Sequence, residues 1–138
     1  MQYPVTLTED PGHGLIVTFR DIPEAISQGD DVEEALAMAE DALLTALEFY
    51  FEDMRKVPAP SEQLEGEHLV RIPASVAVKV LLLNEMVEQN FSVGSMVHLL
   101  GLTRLEANRL LDPDGSTDID TIERALKLLG RSLEFSLK

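Results

Sequence analysis

The stretch Gly29-Asp30-Asp31-Val32-Glu33-Glu34-Ala35-Leu36 is where the chain changes its apolar period, and the fold class follows from that change. Upstream, Tyr3, Val5 and Leu7 alternate with polar neighbours, and so do Leu15, Val17 and Phe19. A period of two is that of a half-buried strand. Downstream, Val32, Leu36, Ala39, Leu43, Ala46, Leu47 and Tyr50 recur at helical spacing, which predicts an amphipathic helix over residues 31–53. Asp31 with Glu34 three residues on is a capping box for its start. Alanines at 35, 39, 42 and 46 keep one face thin enough to lie close on a sheet.

Further upstream, Glu9-Asp10-Pro11-Gly12-His13-Gly14 is dense in turn formers and predicts a hairpin loop. Pro4 cannot donate to a ladder, so its nitrogen is expected to face outward at a sheet edge. Residues 21–30, opening with Asp21-Ile22-Pro23, read as a loop. Beyond the helix, Val57-Pro58-Ala59-Pro60-Ser61 stops it, and His68-Leu69-Val70-Arg71-Ile72 is a short strand. Residues 1–72 therefore read β-β-α-β.

Residues 73–138 read as helical. Pro73 suits a first turn, and Val76, Val80, Leu83 and Val87 predict a helix over 75–89 with extra apolar residues at Val78, Leu81, Leu82 and Met86. Ser92 caps a short helix ending at Gly101, and Thr103 with Glu106 opens another that runs through Leu111. Asp112-Pro113-Asp114-Gly115 is a turn, after which Thr117 caps a helix carrying Ile119, Ile122, Leu126 and Leu129, closed by Gly130. Leu133, Phe135 and Leu137 alternate as a terminal strand fit to pair with a twin. The class is α+β, with a boundary between residues 72 and 73.

Charge divides the chain the same way. Residues 1–66 hold 15 acids against Arg20, Arg55 and Lys56, a net of −12, while residues 67–138 hold ten acids and eight bases, a net of −2. Such asymmetry fits either plain solubility or, in the sharper reading, two units with different partners, the first meeting something basic. No cysteine is present, which excludes disulfides, thiolate metal sites and cysteine nucleophiles. The first basic residue is Arg20, which does not suit a signal peptide, and Val80-Leu81-Leu82-Leu83 is far short of a membrane span. These features predict a cytoplasmic protein without a membrane partner.

Residues 92–112 carry the sharpest chemical signal. Two short helices joined at Gly101-Leu102 have helix-turn-helix spacing, with Leu102 and Leu105 expected to pack beneath the turn. Thr103, Arg104, Glu106, Ala107, Asn108 and Arg109 are expected on the outer face of the second helix, with Ser92 and Ser95 at the start of the first. Asn and Arg can read adenine and guanine edges. An ordinary helical domain with a tight turn is the plain alternative. Catalysis finds little support: His13, His68 and His98 lack ligand spacing, and no phosphate loop, serine elbow or dinucleotide fingerprint occurs. No metal or cofactor is expected.

Tyr3-Pro4-Val5, Asp21-Ile22-Pro23, Gly29-Asp30-Asp31-Val32-Glu33-Glu34-Ala35-Leu36 and Ala42-Leu43 resemble the HicB antitoxin family, and the second half resembles a helix-turn-helix of the Xre/Cro type. Where the Xre pattern usually has Gln and Ala in its first helix, this sequence has Val93 and Val97. The resemblance implies a first domain (1–72) like a partial ribonuclease H fold, without a working active site, that covers a HicA-type toxin. HicA proteins are small basic ribonucleases with a catalytic histidine. It further implies that residues 73–138 bind operator DNA and form a homodimer or higher homo-oligomer. Asp10, Asp21, Asp30 and Asp31 are the toxin-binding candidates. A stand-alone transcription regulator with a ligand-sensing first domain is the alternative.

Overall fold

A computed structural model describes residues 1–138 and shows a mixed α+β chain. In chain order the elements are β1 (Gln2–Asp10), β2 (Gly14–Phe19), β3 (Ile26–Gly29), α1 (Val32–Glu52), β4 (His68–Arg71), α2 (Ala74–Glu88), α3 (Val93–Leu100), α4 (Arg104–Leu110) and α5 (Ile119–Leu128). They form two compact units, residues 1–50 with 58–74, and residues 51–57 with 75–138.

In the first unit four antiparallel strands lie in the order β3-β2-β1-β4. The register pairs Val5 with Phe19, Leu7 with Val17 and Tyr3 with Val70, so these side chains share one face. Tyr3, Val5, Val17, Phe19 and Val70 are buried there, as is the stripe Ala35, Ala39, Leu43, Ala46, Leu47 and Tyr50 of α1. Small residues on that stripe let helix and sheet approach closely.

β3 corrects the β-β-α-β reading to β-β-β-α-β. Its only large apolar residue, Ile26, pairs with Thr18 on the sheet face opposite Val17 and is 63% exposed. Pairing with β2 makes the strand, so its side chains show no apolar alternation.

Pro4 lies in an interior strand, yet its missing N–H costs nothing. Ile72 N–H donates to the Met1 carbonyl at 3.2 Å. With the β1–β4 register, this makes Tyr3↔Val70 and Val5↔His68 the hydrogen-bonded pairs. Pro4↔Leu69 is a non-hydrogen-bonded pair, so the Pro4 nitrogen turns toward the β2 side, where the ladder begins only at Val5↔Phe19.

The long connection after α1 is tied back to the sheet. The Tyr3 hydroxyl donates to the Pro58 carbonyl at 2.7 Å, and the Ser61 N–H donates to Asp21 at 2.9 Å. Arg20 grips Glu67 with two bonds of 2.9 and 3.1 Å, which holds the Glu67 carboxyl below its usual range. Burial, reinforced by the nearby Asp21 carboxylate, pushes the Tyr3 phenol up from 10.0 to about 12.

That shift sets a pH dependence. A group whose folded-state pKa is raised stabilises the fold fully below its unfolded value and loses that contribution as pH climbs to the folded value. Stability is therefore expected to fall between pH 10 and pH 12, by up to about 2–3 kcal/mol at ~1.4 kcal/mol per pH unit. Denaturant titrations at stepped alkaline pH check this, and Tyr3→Phe removes the Tyr3 part of the slope.

The second unit is all helix. Val78, Leu82, Met86, Met96, Ala107, Leu110, Ile122, Ala125, Leu126 and Leu129 form its core, with Met54, Phe91, Val93, Val97 and Leu102 packed against it. Gly101 ends α3 in the left-handed region at φ 65°, where a side chain would be strained. The side chain of Lys79 is fully buried, and its ammonium donates to the carbonyls of Asp112, Gly115 and Ser116 at 2.8, 2.9 and 3.1 Å. Burial lowers its pKa while the three carbonyls satisfy its donors. One amine thereby fixes the turn that follows α4.

Two local expectations change here. Asp118, not Thr117, caps α5, its carboxylate accepting from Thr121 N–H at 3.2 Å. Residues 131–138 form no strand, although Leu133, Phe135 and Leu137 alternate. A strand exists by pairing, and those residues pair with none of the four strands; Leu133 packs against the helical core instead.

Candidate functional site

The first unit presents an acidic surface. It holds 14 acids and two bases, Arg20 and Arg71, and Arg20 is engaged by Glu67. Three of the four aspartates expected to meet a partner gather at one end of the sheet. Asp10 pairs with Gly14 at the hairpin, and Gly14 lies against Gly29 and Asp30. Asp31 follows and caps α1, accepting from Glu34 N–H at 2.8 Å. The Glu34 carboxylate in turn approaches the Asp30 N–H, at 3.4 Å.

Asp21 does not join them. It lies past the opposite end of β2, where its carboxylate accepts from both the N–H and the hydroxyl of Ser61. Its role there is to anchor the long connection. Asp10 and Asp30 are left as the two aspartates of this group that hold no other element in place.

In the second unit α3 and α4 meet at Gly101-Leu102, and both begin with built caps. Ser92 accepts from Ser95 N–H at 3.0 Å. Thr103 accepts from Glu106 N–H at 3.1 Å while the Glu106 carboxylate accepts from Thr103 N–H at 3.0 Å. That return bond holds the Glu106 carboxyl below its usual range and occupies it at the helix start.

Arg104, Asn108 and Arg109 are exposed, and the side chains of Arg104 and Asn108 make no hydrogen bond within the chain. Spacings of four and five residues put all three on one side of α4. Ala107 is not on that outer face; it is fully buried in the core, three residues from buried Leu110. Leu105 does not pack beneath the turn; it is 60% exposed on the side of Arg104, Asn108 and Arg109. An exposed leucine beside two arginines and an asparagine is an apolar group of the kind that packs on a thymine methyl. Its only signal is the one-residue offset from Arg104. Val93 and Val97, where a polar or small residue was the norm, are half-buried against the core.

The histidines fall apart. His13 is exposed in the hairpin turn, His98 is exposed on α3, and His68 is on β4. No helix is long and apolar enough to cross a membrane.

Comparison with known proteins finds relatives among bacterial antitoxins. A family profile described as "HicB_like antitoxin of bacterial toxin-antitoxin system" matches residues 2–81. Antitoxin HicB 2 of Photorhabdus laumondii subsp. laumondii is 51% identical over 134 residues, covering 97% of this chain and 94% of that protein. Antitoxin HicB of Escherichia coli strain K12 is 44% identical, covering 96% of each. Antitoxin HicB of Pseudomonas fluorescens strain Pf0-1 is 36% identical over 138 residues.

Proposed function

The chain belongs to the HicB-like antitoxin family of bacterial toxin–antitoxin systems, and from that membership we propose that it binds and inhibits a small, basic HicA-type ribonuclease and represses its own operon. The observation that carries the reading is the segregation of charge. The first unit holds a net of −12 and the second only −2, so a basic protein and a nucleic acid have separate places to dock. In this account the protein acts in the cytoplasm as a regulator, without catalysis of its own.

Each unit has its task. Residues 1–72 cover the toxin, led by the acidic end of the sheet at Asp10 and Asp30. Residues 73–138 bind operator DNA as a homodimer, with α3 and α4 working as a helix-turn-helix. Arg104, Leu105, Asn108 and Arg109 face the bases, while Ser92, Ser95 and Thr103 at the helix starts face the phosphates.

Steering by an acidic surface acts on the association rate and is screened by salt. Asp10→Asn with Asp30→Asn is therefore expected to slow toxin association several-fold at low salt and to leave dissociation unchanged. Stopped-flow mixing at two ionic strengths reads both rates. Co-expression tests the whole reading: cells making a HicA-type toxin should resume growth when this chain is induced. Continued arrest with soluble antitoxin present would refute it.

A further inference from the structure

We propose that the cleft between α1 and the free edge of β4 is a strand-addition site that takes an extended basic segment of the toxin. The inference rests on the toxin-binding reading above and names where and how the contact is made. β4 is the last strand of its sheet. Because Val70 and His68 are the residues bonded to β1, the N–H and C=O of Leu69 and Arg71 point the other way, off the sheet edge. An open edge of this kind is a template for another strand.

Beside that edge is a cleft of about 420 Å³. Leu69–Pro73 form one wall, and Leu36, Ala37 and Glu40 of α1 form the other. Leu36 and the small Ala37 leave room for an apolar side chain of an added strand. Glu40 is exposed and unpaired at the same wall, where it offers a carboxylate to a basic side chain of that strand. Glu33 lies two turns earlier on the same flank of α1.

Charge decides the occupant. A second copy pairing here would bring another first unit of net −12 alongside, so like charges oppose self-association. A basic segment gains from the same field. Main-chain bonds to Leu69 and Arg71 supply affinity, and Glu40 supplies the sign preference.

Three substitutions in the full-length chain test this against purified HicA-type toxin. Leu69→Pro removes an outward N–H without touching a ladder bond, as edge strands tolerate. Ala37→Arg fills the cleft from an exposed helix position that favours arginine. Glu40→Lys reverses the local charge. Each is expected to raise Kd at least about tenfold, Leu69→Pro and Ala37→Arg chiefly through faster dissociation, Glu40→Lys through slower association.

Circular dichroism confirms that each variant is folded, and Ala37→Arg decides the matter should Leu69→Pro be unfolded. Wild-type affinity in the folded variants overturns the site and leaves toxin binding intact. Variants that bind toxin normally but sediment as smaller species assign the edge to a second copy, which also overturns it. A wild-type chain that fails to bind toxin instead defeats the reading on which the site rests.

Discussion

Alanine at Arg104, Asn108 and Arg109 together is expected to abolish specific operator binding while toxin inhibition stays at the wild-type level. All three side chains are exposed on α4, and none belongs to the first unit. Alanine is the best helix former, and the caps of α4 are the untouched Thr103 and Glu106, so the helix persists. Each lost base contact costs about 1–3 kcal/mol. Three together lower affinity by at least about a hundredfold. Gel-shift titration at one fixed salt concentration reads the loss. Leu105→Ala is expected to give a smaller loss confined to sites with a thymine opposite it. A triple variant that keeps operator affinity would put DNA recognition on some other element.

The second large effect concerns Gly29, where β3 turns into α1. A Cβ built there would lie 2.4 Å from the Ala35 nitrogen, 2.6 Å from the Ala35 Cα and 2.8 Å from the Glu34 carbonyl carbon. All three are backbone atoms of the first turn of α1, so none can swing aside as a side chain would. Gly29→Ala must push β3 and α1 apart, at a cost of about 2–4 kcal/mol. In a unit this small the midpoint of thermal unfolding falls by about 10–20 °C or more, and toxin inhibition is lost at 37 °C. Gly12→Ala is the control. No atom lies within 4 Å of its added Cβ, so only its φ of +83° penalises it, by about 1 kcal/mol. Equal melting temperatures for the two variants would remove the steric reason for a glycine before this helix.

Much of the fold was legible because burial leaves a period in the sequence. α1 announced itself by its apolar stripe and by Asp31, and α4 by the Thr103–Glu106 capping box. β3 was hidden because Ile26 and Gln28 face away from the core, so pairing alone makes it a strand. Leu133, Phe135 and Leu137 misled in the opposite sense. Their alternation is real, yet alternation makes a strand only where it pairs, and none of the four strands pairs with them.

The site was legible in charge and less so in geometry. Composition separated an acidic half from a nearly neutral one, and the structure divides into two units with the same contrast. Asp21 could not be told from Asp10 and Asp30, since its bonds to Ser61 span forty residues of chain. Ala107 and Leu105 exchanged places for a simpler reason. An alanine among polar residues carries no mark of which way it faces, and spacing from Leu110 was the only clue to its burial. The outward edge of β4 follows from register and one backbone bond, neither of which composition records.

The most direct test is RNA cleavage by a purified HicA-type toxin, titrated with the full-length chain and with the Arg104, Asn108 and Arg109 alanine variant. The account predicts that both proteins stop cleavage at a fixed, near-stoichiometric ratio, and that raising salt weakens the two equally. Cleavage that continues at a several-fold excess of folded wild-type chain, or inhibition lost only in the α4 variant, would contradict it.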